Sequence, residues 1–296
     1  MFGSRPSSVN RGASSVSTPG QKVISARLRP GAWARGWDRL LAATLLPPTC
    51  TLCGAQDLPG PADLCGHCAE ALPRLRNACP RCALPSGAFL EAGTASLCPR
   101  CRRRPPEFDT ALVPFEYAWP VDRLVRGLKF HGRRPFARVL GMELAAARQA
   151  LGPPWPECVV PLPLHPRRFR ERGFNQAEEI ARYAARTLGL PLAARVLERA
   201  LPTREQTGLS AAERRRNVRH AFRVRRPLSG QRVALIDDVL TTGSTAMEAA
   251  RALKAGGACT VELWAAARTV LPPADGAAQE CSEYSSTRPA KIARPT

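Results

Sequence analysis

Four Cys-x-x-Cys pairs within 52 residues constrain this chain more than any other feature of its sequence. Eight of the eleven cysteines form the pairs Cys50/Cys53, Cys65/Cys68, Cys79/Cys82 and Cys98/Cys101. Each pair places two thiolates on one side of a tight turn, and two such turns complete a tetrahedral Cys₄ site for Zn²⁺. Because the segment is too short and too poor in large apolar residues to fold around its own core, metal binding would supply the folding energy.

Two structural zinc sites are therefore expected, and the simplest grouping follows chain order. One site would use Cys50, Cys53, Cys65 and Cys68, and the other Cys79, Cys82, Cys98 and Cys101. A crossed grouping satisfies the same spacing and stays open. Disulfides are the competing interpretation, but they need an oxidising compartment, and we find no secretory signal. Because four thiolates would fill each coordination sphere, a catalytic zinc is not expected.

The charge of the chain indicates which partners suit it. Lys and Arg number 44 against 24 Asp and Glu, which leaves a net charge of +20. Half of that excess lies in residues 165–226, which contain 16 Arg and 6 Glu. Such a balance favours phosphates, nucleotides or nucleic acid as partners. The apolar stretch 40–46 is far shorter than the ~20 residues that cross a bilayer, so no membrane insertion is expected.

Composition divides the chain into four parts. Residues 1–36 are expected to be a disordered basic arm, since they contain no Asp or Glu. A transit peptide has a similar composition, and a start codon assigned too early is a further alternative. Residues 37–105 are expected to form a double zinc-ribbon domain with a short preceding helix, 107–272 a second domain, and 273–296 a disordered tail. We expect a cytoplasmic protein.

The second domain alternates strand and helix patterns. Apolar or β-branched runs predict strands at 110–117, 158–162, 232–236 and 260–267. Helical periodicity or composition predicts helices at 121–130, 136–151, 175–188 and 244–255. This alternation is typical of an α/β fold with a mainly parallel sheet covered by helices on both faces.

The most informative segment for function is residues 233–245, VALIDDVLTTGST. Asp237 and Asp238 follow an apolar strand, and ligands of α/β sheets bind at the carboxyl ends of strands. The predicted start of a helix comes next, with Thr241, Thr242, Gly243, Ser244 and Thr245. Its free N–H groups and hydroxyls are suited to binding an anion. Two carboxylates beside a phosphate would repel it unless they bind something else. Ribose hydroxyls, reached directly or through Mg²⁺, fit that role.

This segment resembles the thirteen-residue signature with which type I phosphoribosyltransferases bind phosphoribosyl pyrophosphate (PRPP). Three more stretches resemble the ComF family, namely VDRLVRGLKFHGRRPFA (121–137), VVPLPLHPRRFRERGFNQAEEIA (159–181) and REQTGLSAAERRRNV (204–218). Members of that family combine a double zinc ribbon with a phosphoribosyltransferase-like domain. The resemblance covers about residues 48–270. It implies a part in DNA uptake during natural competence, beside a helicase-like partner.

The resemblance also implies roles for individual residues. The loop 241–245 would bind the 5-phosphate of PRPP, while Asp237 and Asp238 would hold the ribose hydroxyls and orient Mg²⁺. Residues 161–164, with Arg167 and Arg168, resemble a loop on the pyrophosphate side. The stretch 204–217 resembles a mobile loop that closes over the pyrophosphate, which makes Arg204 a candidate catalytic residue.

Four further residues have two interpretations each. Lys129 and His131 lie in the motif GLKFHG, where they either contact phosphate or end a helix, whose dipole favours cations there. Asn175 and Gln176 begin a predicted helix, and capping by Asn is the simpler interpretation.

Three functions remain open on the sequence alone. The first is an enzyme that transfers phosphoribosyl from PRPP to a nitrogen nucleophile. The second is a non-catalytic protein that binds single-stranded DNA through its zinc ribbons and basic surface. The third binds DNA and uses PRPP or a nucleotide as a regulatory ligand. Aromatic residues make up only 6% of the chain, which weakens the case for base stacking but not for backbone binding.

Overall fold

A computed structural model provides the structure of the protein and describes residues 49–56, 63–85, 97–199 and 221–269. All of these residues belong to one compact unit, residues 48–296. The expected basic arm, the C-terminal tail and the loop containing Arg204 lie outside the described residues.

Helices and strands alternate through most of the described chain. The helices are α1 (Gly66–Glu70), α2 (Pro99–Arg103), α3 (Val121–His131), α4 (Arg134–Leu151), α5 (Pro166–Arg172), α6 (Gln176–Leu188) and α7 (Ser244–Ala255). The strands are β1 (Thr110–Leu112), β2 (Phe115–Glu116), β3 (Cys158–Pro161), β4 (Leu197–Arg199), β5 (Phe222–Val224), β6 (Arg232–Leu240) and β7 (Thr260–Arg268).

The central sheet is parallel and has the strand order β1–β7–β6–β3, with β2 also pairing with β7. Strands β4 and β5 form a separate antiparallel pair. The predicted α/β fold with a mainly parallel sheet is confirmed. The predicted strand 110–117 is interrupted between Leu112 and Phe115. Pro114 lies in the interruption and has no N–H to donate to a ladder.

The two faces of the sheet carry two hydrophobic cores. Ala234 and Ile236 of β6 pack with α3, α4 and α6 on one face. Val233 and Leu235 pack with α7 and the β4–β5 pair on the other face. This division follows from strand geometry, because successive side chains point to opposite faces. The protein is therefore layered, with the sheet in the middle.

Helices α4 and α6 approach each other closely at Gly141. A Cβ atom there would lie 2.6 Å from the carbonyl oxygen of Ile180 and 2.7 Å from Cβ of Tyr183. The small residues of α6, including Ala181 and Ala184, complete this contact. The Ala-rich composition of the helix thus allows it to lie against α4 and to hold its N-terminus near the sheet edge.

Strand β6 is longer than hydrophobicity predicts. The apolar run ends at Ile236, yet backbone pairing with β7 continues as far as Leu240 and Arg268. Asp237 and Asp238 are therefore held within β6, a few residues before α7 begins at Ser244. No helix in the described ranges is long and apolar enough to cross a membrane.

Candidate functional site

Two groups of four cysteine side chains form pockets for a tetrahedral metal ion. They follow chain order and consist of Cys50, Cys53, Cys65 and Cys68, and of Cys79, Cys82, Cys98 and Cys101. Within each group all sulfur atoms lie within 4.8 Å of one another. The Sγ atoms of Cys53 and Cys65 are 3.6 Å apart, and those of Cys82 and Cys98 are 3.8 Å apart. Zn–S bonds of about 2.3 Å in a tetrahedron separate the sulfurs by about 3.8 Å, so both groups fit structural Zn²⁺.

Each cysteine group contains one thiol that ionises readily. Burial opposes ionisation of Cys50, but the backbone N–H groups of Cys65, Cys53 and Leu52 outweigh it and lower the pKa of Cys50 to about 6. Backbone N–H groups likewise outweigh burial at Cys79 and lower its pKa to about 7. Since the thiolate is the form that binds metal, each group can begin coordination near neutral pH.

A cavity of about 500 Å³ lies at the carboxyl ends of β3 and β6. Its wall combines the acidic pair Asp237 and Asp238, the hydroxyl side chains Thr241 and Thr245, and a set of basic groups. The basic groups are Lys129, His165, Arg167, Arg168 and Arg199. Acidic, hydroxyl and basic groups from four parts of the chain therefore face one space.

Asp238 is the most tightly held group in this cavity. Its Oδ2 atom lies 3.0 Å from Nζ of Lys129 and accepts a hydrogen bond of 3.1 Å from Nε2 of Gln176. Its Oδ1 atom accepts from the backbone N–H of Val239 at 2.7 Å. The carboxylate is thus fixed in position before any ligand arrives.

Gln176 carries an acceptor that no described residue satisfies. Its side chain is 4% exposed, and its Nε2 atom faces Asp238 because a carboxylate needs a donor. The amide oxygen Oε1 of Gln176 is then left without a hydrogen-bond partner among the described residues. An unsatisfied buried acceptor costs free energy, so this atom suits a ligand that brings an O–H or N–H group.

Asp237 is a weak acid in this environment. Burial and the neighbouring charge of Asp238 raise the pKa of Asp237 to about 7, although the ammonium group of Lys129 opposes the rise. The backbone N–H of Asp238 donates to Oδ1 of Asp237 at 2.8 Å. A bound cation would favour the charged form of Asp237, so the acidic pair is suited to a divalent ion with oxygen ligands.

The predicted phosphate loop leads into a helix whose N-cap residue has no side chain. Gly243 has φ +77° and precedes α7, and in the first turn the N–H of Ser244 donates to Oγ1 of Thr242 at 3.4 Å. Thr241 and Thr245 line the large cavity, whereas Thr242 and Gly243 line a gap beside the second cysteine group. Ser244 is buried, and its Oγ lies 3.0 Å from Oγ1 of Thr242. The start of α7 therefore presents backbone N–H groups, which suit an anion.

The structure brings Lys129, Arg167 and Arg168 into the cavity with the acidic pair. His131 does not reach that cavity and lines a second cleft of about 290 Å³, together with Trp119 and other residues. Residues two positions apart on a helix point in different directions, which explains why Lys129 and His131 separate. Asn175 caps α6 by accepting from the N–H of Ala177, as the simpler interpretation held.

Three basic residues near the cavity were not singled out by the sequence pattern. Arg199 lies on β4, and burial together with the charge of Arg168 lowers its pKa to about 10. Burial and neighbouring arginines, Arg199 first among them, lower the pKa of His165. Burial, followed by the charge of Arg168, lowers the pKa of Arg172. Nothing in the local sequence distinguishes Arg172 and Arg199 from the other arginines of 165–226, and their surroundings depend on tertiary packing.

His165 presents a hydrogen-bond donor to the cavity. Its Nδ1 atom accepts from the backbone N–H of Arg167 at 3.2 Å, so the neutral ring carries its proton on Nε2. That Nε2 atom is buried and has no hydrogen-bond partner among the described residues. A phosphate oxygen would satisfy it.

Comparison with known proteins gives matches to both parts of the chain. The model of the double zinc ribbon domain matches residues 41–102. DNA utilization protein YhgH of Salmonella typhi is 36% identical over 230 residues, which cover 76% of this chain and 99% of that protein. YhgH of Escherichia coli K12 is 34% identical over 229 residues, with the same two coverages. Competence protein F of Haemophilus influenzae is 31% identical over 220 residues, covering 69% of this chain and 96% of that protein.

Comparison with solved structures gives two matches of low TM-score. TT1426 from Thermus thermophilus is 22% identical, with a TM-score of 0.28, and the match covers 48% of this chain and 86% of that one. Purine phosphoribosyltransferase from Pyrococcus horikoshii is 14% identical, with a TM-score of 0.29, and the match covers 54% of this chain and 88% of that one. At such scores neither structure says which ligand this chain binds.

Proposed function

The chain belongs to the ComF family of competence and DNA-utilization proteins, and we propose that it binds PRPP with Mg²⁺ and transfers its phosphoribosyl group to a nitrogen nucleophile. The observation that carries this proposal is the position of Asp238. Lys129 and Gln176 hold that carboxylate on the wall of a basic cavity, in the strand that leads to the start of α7.

The 5-phosphate of PRPP is assigned to the start of α7. The N-cap residue Gly243 offers no side-chain acceptor to the first turn, and the helix dipole favours an anion at this end. Thr241 and Thr245 add hydroxyl donors from the cavity wall. Gly243 permits the left-handed turn that aims these groups, since its φ is +77°.

The ribose is assigned to the acidic pair and to Gln176. Asp238 can accept from a ribose hydroxyl, and the free Oε1 atom of Gln176 can accept from a second one. Asp237 and Asp238 are the residues that would orient Mg²⁺, which supplies positive charge to the departing pyrophosphate. Carboxylate and hydroxyl oxygens are the ligands that this ion prefers.

The pyrophosphate is assigned to the loop that follows β3. Arg167 and Arg168 line the cavity there, and Nε2–H of His165 supplies a further donor. Asn175 steadies this loop, because its Nδ2 atom donates to the carbonyl oxygen of Leu162 at 3.0 Å. Guanidinium groups suit this task because one fork can bind two phosphate oxygens. Arg204 lies outside the described residues and remains a proposed contributor on the resemblance alone.

In the proposed reaction the bond between C1 of the ribose and the pyrophosphate oxygen breaks. Pyrophosphate leaves with the electron pair, and the lone pair of a nitrogen forms the new bond to C1. The transition state has the character of an oxocarbenium ion, so positioning and charge stabilisation provide most of the catalysis. The cavity supplies basic groups where negative charge develops and carboxylates near the cationic ribose.

Calorimetric titration of the zinc-loaded protein with PRPP and Mg²⁺ tests the binding site. Lys129→Met removes the partner of Asp238, and we expect PRPP affinity to fall by about tenfold or more. Lys254→Met is the matched control. Nζ of Lys254 lies 2.8 Å from the carboxylate of Asp109, and neither residue lines the cavity. Equal affinity of the two variants for PRPP would contradict the assignment. Release of pyrophosphate with a panel of nucleobases then tests transfer.

A second candidate function is binding of single-stranded DNA. The second cleft is basic, with Arg123, Arg126 and Arg133 in its wall, and Trp119 beside them is 51% exposed. An exposed ring among arginines is suited to stacking on a base beside a phosphate backbone. The logarithm of the affinity for a single strand should then fall linearly with the logarithm of the salt concentration, with a slope of about 0.7 per phosphate contacted. Trp119→Ala should weaken this affinity. A salt-independent affinity would contradict this candidate.

A further inference from the structure

The second cysteine group meets the phosphate loop across a narrow gap. This gap of about 30 Å³ has Cys82 and Cys101 on one side and Thr242 and Gly243 on the other. Arg268, at the end of β7, also lines it. The first cysteine group instead packs in the core on the opposite face of the sheet, with Phe115 and Val121. The two zinc sites therefore have different neighbours.

Arg268 holds the turn from which the phosphate loop starts. Its side chain is buried, with 3% of the residue exposed. The Nη1 atom donates to the carbonyl oxygen of Leu240 at 3.1 Å and to that of Thr241. Such charge-assisted bonds are stronger than neutral ones. Because Leu240 and Thr241 connect β6 to the loop, Arg268 determines where the loop begins.

Arg268 lies beside the second cysteine group and has no salt-bridge partner among the described carboxylates. It lines the same gap as Cys82 and Cys101. Burial, aided by the charge of Arg100, lowers the pKa of Arg268, and the thiolates of Cys82, Cys101 and Cys98 oppose that shift. A buried cation without a counter-charge is unfavourable. A zinc ion with four thiolates would carry a net charge of about −2, which has the sign that suits this guanidinium.

A second arginine links the same group to the loop. Arg100 lies on α2, next to the ligand Cys101, and its Nη2 atom lies 3.5 Å from the carbonyl oxygen of Thr242. Three consecutive carbonyl groups of the turn, at residues 240–242, thus accept from two arginines that line the gap beside the second cysteine group.

We propose that the zinc ion of the second cysteine group orders the phosphate loop through Arg268 and Arg100, so that loss of this ion weakens phosphate binding. Arg268 acts as a positioning residue, because it does not line the large cavity. The proposal rests on the proposed function only for the identity of the ligand. The order of the loop is a property of the protein alone.

The experiment compares Cys82→Ala with Cys53→Ala in the full chain. Native mass spectrometry counts the zinc ions, and hydrogen exchange reports on the amides of 241–245 without ligand. We expect each variant to lose one ion. In Cys82→Ala these amides should exchange about tenfold faster than in wild type, and the variant should bind ribose 5-phosphate about tenfold more weakly. Cys53→Ala should change neither quantity by more than about twofold.

Two arginine variants keep the test decisive if Cys82→Ala fails to fold. Arg268→Lys retains the positive charge but loses the guanidinium fork. The exchange rate of the loop amides in this variant should therefore lie between the rates in wild type and in Arg268→Met. Arg100→Ala changes an exposed side chain and should accelerate loop exchange with both zinc ions retained. Unchanged loop exchange in folded Arg268→Met and Arg100→Ala would overturn the proposal. If wild type binds no ribose 5-phosphate, the proposed function fails while the exchange comparison still decides this inference.

Discussion

Replacing Asp237 by Asn is expected to stabilise the protein while abolishing PRPP binding. The Asn side chain has nearly the same volume and can still accept the 2.8 Å hydrogen bond from the N–H of Asp238. It removes a negative charge that is partly buried beside a second carboxylate. A functional residue that destabilises the fold is expected at a binding site, where the ligand restores the missing interactions.

The size of the effect follows from the pKa of Asp237, which rises from 3.8 to about 7 on folding. Each pKa unit corresponds to about 1.4 kcal/mol, so the charge costs up to about 4 kcal/mol above pH 7. The folded state binds more protons than the unfolded state between the two pKa values, and stability therefore falls as pH rises through this window. The Asn variant should gain up to about 4 kcal/mol at pH 8 and about half of that at pH 5.5.

Urea unfolding of both proteins, followed by circular dichroism with excess zinc at pH 5.5 and pH 8, measures this gain. Zinc ligands titrate equally in the two proteins, so their contribution cancels in the difference. A variant that is no more stable than wild type at pH 8 would refute the reasoning. So would a gain that does not shrink at pH 5.5.

Three further substitutions test the packing and the turn. Gly141→Ala should cost about 1–3 kcal/mol in urea unfolding, because its Cβ would meet the backbone of α6 at 2.6 Å, and an unchanged midpoint would contradict that contact. Gly243→Ala should cost about 1–2 kcal/mol from its φ of +77° and weaken binding of ribose 5-phosphate in a calorimetric titration. Arg148→Met should cost about 3 kcal/mol in urea unfolding, because Glu262, now 2.9 Å from Nε of Arg148, would keep only the N–H of Trp264 among its described side-chain donors. A loss below about 1 kcal/mol would show that this remaining donor is enough for Glu262.

The fold and the acidic pair could be predicted because they depend on local pattern. Alternation of apolar strands with helical segments indicates a parallel sheet. Within residues 233–245 the sequence itself places the acidic pair, the loop and the helix start one after another. The bounds of α7 could be predicted from its small residues and from the two glycines that follow it. The cysteine spacing carried the same kind of local information.

Long-range contacts could not be predicted from the same patterns. The partnership of Asp238 with Lys129 and Gln176 joins three elements that are far apart in sequence, since Gln176 and Asp238 alone are separated by 62 residues. Arg199 lines the cavity from β4, a strand that pairs with β5 more than 20 residues later in the chain. His131 lies two residues from Lys129 in sequence, yet helical geometry directs it to another cleft. Contacts of this kind depend on tertiary packing, which a single sequence does not display.

The most direct test of the account is calorimetric titration of zinc-loaded wild type and Asp238→Asn with PRPP, each with and without Mg²⁺. We predict Mg²⁺-dependent binding by wild type, and a loss of about tenfold or more in Asp238→Asn, because the carboxylate that Lys129 and Gln176 hold is neutralised. Equal PRPP affinity in the two folded proteins, or no binding by either, would contradict the assignment of this cavity to PRPP.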